Sequence, residues 1–132
     1  MKHFTLTELT RSATARRLGI DNTPPPQVVA ALTQLIDNIL DPLREAWGAP
    51  LYVTSGYRCA ALNHAVGGVV HSQHILGQAA DVTTGTINGN RRLWQLLQSL
   101  NLPVDQVINE HGYRWLHISY SPRNRRQFFA IN

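Results

Sequence analysis

Three side chains stand where their local sequence gives no reason for them. His74 closes the run Val70-His71-Ser72-Gln73-His74, Asp81 falls in Gln78-Ala79-Ala80-Asp81-Val82-Thr83, and His117 interrupts the apolar stretch Trp115-Leu116-His117-Ile118-Ser119. Two imidazoles and a carboxylate are an ordinary three-ligand set for a catalytic zinc ion, with the fourth position left open to water. The chain has a single cysteine, Cys59, so neither an intrachain disulfide nor a thiolate-rich zinc cluster can form. Any metal must be held by imidazole and carboxylate, and the six histidines supply the means. Taken singly, a strand-end aspartate is more often bonded to neighbouring amides, and a lone strand histidine is more often a satisfied core residue.

The elements that must position these groups follow from periodicity. Thr5 with Glu8 three residues on fits a capping box, and Leu6, Leu9 and the stretch from Ala13 to Leu18 read as short helical turns closed by Gly19. Pro26, the last of three consecutive prolines, suits the first turn of a helix running from about Gln27 to Trp47. Val28, Leu32, Leu35, Ile36, Ile39, Leu40 and Leu43 recur on one face of it, and Pro42 should kink it. Leu51 to Thr54 reads as a strand, Ala60 to Val66 as a short helix, and Gln78 to Thr83 as a second strand. Asn88 can cap a helix through Leu100, and 104–109, 115–120 and 128–131 are the remaining strands. With 132 residues and 43% hydrophobic content, this is one α+β domain: a small antiparallel sheet packed with helices, with residues 1–23 as a helical cap and 24–132 as the core.

The segment from Ser55 to Gly77 is long, polar and glycine-rich, which in a small domain marks function. Its words are Ser55-Gly56-Tyr57-Arg58, then Asn63, then Val66-Gly67-Gly68, then Ser72-Gln73-His74-Ile75-Leu76-Gly77-Gln78-Ala79-Ala80-Asp81, followed downstream by Trp115-Leu116-His117-Ile118-Ser119-Tyr120. Together they resemble the zinc D-alanyl-D-alanine carboxypeptidase-like peptidases of the Hedgehog/DD-peptidase fold, in particular a phage endolysin-like branch. The signature is Ser-x-His-x-x-Gly-x-Ala-x-Asp followed by Trp-x-His, and the likeness extends over nearly the whole chain.

The resemblance implies that His74, Asp81 and His117 ligate Zn2+. It implies a glutamate base shortly before the Trp-x-His strand, which here is Glu110, with His111 as its rival. Other branches put a glutamate three residues, or a histidine five residues, before the last ligand; here those positions are Arg114 and Gly112. Arg58 is implied to grip the substrate carboxylate or the attacked carbonyl, as a guanidinium does with two parallel hydrogen bonds. Ser72 and Gln73 can donate hydrogen bonds beside the metal and are read as substrate contacts. His64 and His71 are expected to face solvent or to lie behind the ligands. Cys59 as a nucleophile lacks a matching Cys/His/Asn arrangement.

The implied activity is zinc-dependent hydrolysis of peptide bonds in bacterial cell-wall peptidoglycan, of carboxypeptidase or endopeptidase type. The competing reading is a non-catalytic wall-binding or phage structural module with a structural zinc. The partners expected are peptidoglycan peptides, with no nucleic acid, no membrane insertion and a monomeric chain. Residues 1–110 are neutral overall, so the formal charge of +4 comes from Arg114, Arg123, Arg125 and Arg126, which could draw an anionic polymer toward the site. Met1 to Glu8 lacks the apolar run of a secretory signal, which suggests cytoplasmic synthesis and arrival at the wall by phage lysis or another route.

Overall fold

A computed structural model describes residues 1–132. The N-terminal helices are α1 (Leu6–Thr10) and α2 (Ala13–Leu18). Thr5 and Glu8 close the expected capping box on α1, and Gly19 ends α2 in the left-handed conformation. The helix expected from Gln27 begins at Pro26 and is not uniform: α3 (Pro26–Leu35) passes into a π-helical turn at Ile36–Leu40, then into α4 (Asp41–Trp47). Pro42 has no N–H to donate, and its ring crowds the carbonyl a turn earlier. The disturbance expected at Pro42 is found just before it as widening, with the Asp41 N–H reaching back to the Ile36 carbonyl. The buried Asp41 carboxylate in turn accepts from the backbone N–H groups of Lys2, His3 and Phe4, which anchors the N-terminal segment.

The sheet contains β1 (Tyr52–Ser55), β2 (Ala79–Thr83), β3 (Gln106–Glu110), β4 (Trp115–Ser119) and β5 (Gln127–Ile131), in the order β1-β2-β4-β3-β5. Four strands are antiparallel as expected, but β5 pairs with β3 in parallel. Helix α5 (Ala60–Ala65) lies between β1 and β2, and α6 (Ile87–Ser99) between β2 and β3. The cap of α6 is Thr86, whose side chain accepts from Gly89 N–H, rather than Asn88. One sheet face, carrying Ala80, Val82, Leu116, Ile118 and Val107, packs with Leu32, Leu35, Ile36, Ile39, Leu40 and Leu43 from the long helical segment and with Leu93 and Leu97 of α6 in one core. The other face is free to carry polar side chains. No helix is long and apolar enough to cross a membrane.

Candidate metal centre

Strand pairing decides which side chains meet. Asp81 on β2 is the register partner of His117 on β4, and His117 is that of Ile108 on β3. Opposed residues of an antiparallel pair share a face, so Asp81 and His117 project together from the face away from the core. His74 arrives from the loop before β2. That loop turns back at Gly77, where φ is +72° and a side chain would meet Val28, so only glycine fits without strain. Ser72, buried, accepts from the His74 backbone N–H and shapes the approach.

All three side chains are buried, and their donor atoms lie within 4.8 Å of one another. Asp81 Oδ1 is 3.2 Å from His74 Nε2 and 3.3 Å from His117 Nδ1. Ligands about 2.0–2.1 Å from a tetrahedral ion stand about 3.3 Å apart, so the spacing suits zinc. The outer nitrogen of His74 strengthens this fit. Its Nδ1 is 2.7 Å from the Gly56 carbonyl oxygen, which can only accept, so Nδ1 carries hydrogen and the neutral ring turns its Nε2 lone pair inward. Gly56 is fixed there because a Cβ would overlap the Leu9 carbonyl, which accepts from the Tyr57 N–H. Burial alone would raise the Asp81 carboxyl, but contact with His117 and His74 outweighs it and holds the group well below the usual carboxylate range. An ionised carboxylate facing two inward imidazole nitrogens is a donor set for a divalent cation.

Arg58 adjoins this centre. Its Nη2 is 3.6 Å from Asp81 Oδ2, Nε donates to Ser55 Oγ at 3.0 Å, and Nη1 donates to Asn63 Oδ1 at 3.1 Å. Asn63 is itself held by donating to the Val69 carbonyl. Ser55 and Asn63 stood in the sequence words without a role; here they orient the guanidinium. Above lies a cleft of about 650 Å³, reaching Asp81 and lined by Arg11, Arg16, Arg58, Arg114, Tyr57 and Trp115 among others. Arg11, just after α1, and Arg16 of α2 come from the N-terminal segment, a contribution with no signal in the sequence. Asn22 ties those helices to the Arg58 loop by donating to the Thr10 and Tyr57 carbonyls and accepting from the Cys59 N–H.

Glu110 is the register partner of Trp115 and lies two residues along β3 from Ile108, which puts it on the metal face, diagonal to His117 at about 7–8 Å. It is half-buried, and its carboxylate has no hydrogen-bond or ion-pair partner. His111 is exposed beyond the end of β3, at a positive φ of 51°, with its ring 5.0 Å from that of Trp115. Ser72 and Gln73 do not line the cleft: Ser72 is engaged within its own loop, and the Gln73 amide lies between His117 and Asp105. His64 and His71 face solvent, and Cys59 caps α5, accepting from Leu62 N–H. The tail charges also differ from expectation. Arg125 is spent on Asp105 and Arg126 on the Leu100 and Leu102 carbonyls, so the cationic cleft is built instead by Arg11, Arg16, Arg58 and Arg114.

The family model described as Peptidase M15 matches residues 2–119, a span that takes in all three candidate ligands, Arg58 and Glu110. No curated protein matches the chain.

Proposed function

The chain belongs to the Peptidase M15 family, and we propose that it hydrolyses a peptide bond in bacterial peptidoglycan with a zinc ion held by His74, Asp81 and His117. The observation that carries this reading is the convergence of three buried donor side chains, one of which, Asp81, opens onto a cleft whose walls bear four arginines. Zinc bound there would supply Lewis acidity, lowering the pKa of water toward about 7 and polarising the scissile carbonyl. Glu110 takes a proton from the attacking water and delivers it to the amide nitrogen as the C–N bond breaks, so acid and amine are released without a net change in the protein. Arg58, aligned by Ser55 and Asn63, binds a substrate carboxylate or the carbonyl oxygen beside the reacting centre. Arg11, Arg16 and Arg114 give the rest of the cleft a field that favours a peptide bearing several carboxylates.

Mass spectrometry of muropeptides before and after digestion, with and without a chelator, tests the proposal. Loss of a terminal residue identifies a carboxypeptidase, and separation of internal fragments identifies an endopeptidase. In either case the products vanish with chelator and return with added zinc. Stoichiometric zinc binding with no new amino groups overturns the enzymatic reading in favour of a module with structural zinc. The same digest run on intact cell walls tests the lysin role.

A further inference from the structure

The segment beyond the family match reaches the metal centre through side chains. Arg125, just before β5, donates from Nε to Asp105 Oδ1 at 2.8 Å and from Nη2 to Asp105 Oδ2 at 2.9 Å. Its backbone N–H adds a third bond at 3.1 Å. Asp105 is fully buried and accepts from Gln73 Nε2 at 2.8 Å, while Gln73 Oε1 faces His117 Nε2 at 3.5 Å. The parallel pairing of β5 with β3 brings this chain together, for Gln127 N–H donates to the Asp105 carbonyl as the strand begins.

Each link fixes the direction of the next. A carboxylate gripped by a guanidinium only accepts, so the Gln73 amide must turn its NH2 to Asp105 and its oxygen to His117. An amide oxygen facing His117 Nε2 requires hydrogen there, which leaves the Nδ1 lone pair directed at Asp81. We propose that Arg125, Asp105 and Gln73 form a positioning chain that selects the metal-binding tautomer and ring orientation of His117. His74 receives the same service from a backbone carbonyl, whereas His117 depends on side chains, one of them in the C-terminal segment. Gln73 is then a positioning residue, not a substrate contact. This inference rests on His117 being a zinc ligand, as under the proposed function.

The test compares the full-length wild type with Gln73→Met, Arg125→Met and the double variant. Zinc affinity is measured by competition with a chromophoric chelator, and the His117 tautomer by nitrogen-15 NMR of the zinc-stripped protein at alkaline pH. Removal of an outer partner of a metal-bound histidine typically costs about 10–100-fold in affinity. Gln73→Met is expected to weaken zinc by that factor and to give a tautomer mixture where the wild type holds hydrogen on Nε2 alone. Arg125→Met should have a smaller effect that disappears in the Gln73→Met background, since both act through one route. An additive Arg125 effect, or a His117 tautomer indifferent to Gln73, overturns the positioning chain. A wild type that fails to bind zinc overturns the metal reading instead, and the tautomer measurement still reports on the chain by itself.

Discussion

His74 Nδ1 lies 2.7 Å from the carbonyl oxygen of Gly56, the one residue in the loop that cannot carry a side chain without striking Leu9. The contact fixes the ring so that its other nitrogen faces Asp81, and it ties the first ligand to the backbone that carries Arg58. The candidate metal ligand and the proposed substrate-binding arginine therefore share one short segment. The reverse link, Arg58 N–H to the His74 carbonyl at 3.2 Å, closes the pairing.

That shared segment makes the ligands mutually dependent. Asp81→Asn and His117→Ala are each expected to abolish zinc retention and hydrolysis together. Calorimetry with and without chelator provides the check. Zinc should raise the unfolding midpoint of the wild type, because a ligand that binds only the folded state stabilises it, and should leave both variants unmoved. A variant that retains zinc stoichiometrically and loses only turnover would remove its residue from the ligand set.

Glu110 is unpaired and shares the face of His117. Glu110→Gln removes the proposed base but keeps the shape, so kcat should fall by about 10²–10⁴-fold while zinc affinity stays the same. His111→Asn, at an exposed turn, should change kcat by less than about threefold, an estimate for a residue outside proton-transfer reach. Reversal of the two effects in steady-state kinetics would transfer the role of base to His111.

Arg58 presents three donors to three different acceptors, an arrangement a lysine cannot copy. Arg58→Lys should therefore lower kcat/KM by about 10–100-fold, the worth of one charge-assisted hydrogen bond to substrate. The paired substitution of Arg11 and Arg16 by Gln should raise KM for peptides with several carboxylates, leave kcat unchanged, and lose its effect at high salt. Kinetics at two ionic strengths separate the two behaviours. Salt-independent loss in the Arg11/Arg16 variant would refute a steering role.

How far the site could be read from sequence depended on how local its chemistry is. His74, Gly77 and Asp81 lie within one short motif, and Trp115 with His117 in another, so a family resemblance carried by contiguous words could single them out where residue type alone could not. Apolar periodicity likewise marked the core face of α3 and α4. Arg125, Asp105 and Gln73 are far apart in the chain and meet only because β5 returns parallel to β3, a crossover that alternation along a strand does not encode. Arg11 and Arg16 join the cleft through bonds distant in sequence, Tyr57 N–H to the Leu9 carbonyl and the Asn22 side chain to Thr10, Tyr57 and Cys59. The π-helical turn was hidden for a different reason: proline announces a disturbance, but neighbouring packing decides whether the helix bends or widens.

The pairing of buried Asp105 with the exposed Arg125 predicts a pH dependence. The Arg125 guanidinium holds the Asp105 carboxyl well below the usual carboxylate range, against the opposing effect of burial, with help from Gln73 and Ser121. In the unfolded chain the group titrates near about 3.9, so the folded state binds this proton less readily than the unfolded state does. Its stabilisation is therefore complete above that pH and is lost as acidity increases below it. Asp105→Asn should be less stable than wild type by roughly 1.5–3 kcal/mol at neutral pH, the range for a hydrogen bond to a charged group. The gap should narrow steadily below about pH 4, where the unfolded wild type begins to bind a proton that its folded state does not and that the variant never takes up. Urea unfolding across this range, with chelator present in both proteins so that metal release contributes to neither, gives the two curves. Parallel curves would mean that the charge of Asp105 contributes nothing and that its packing alone accounts for the loss.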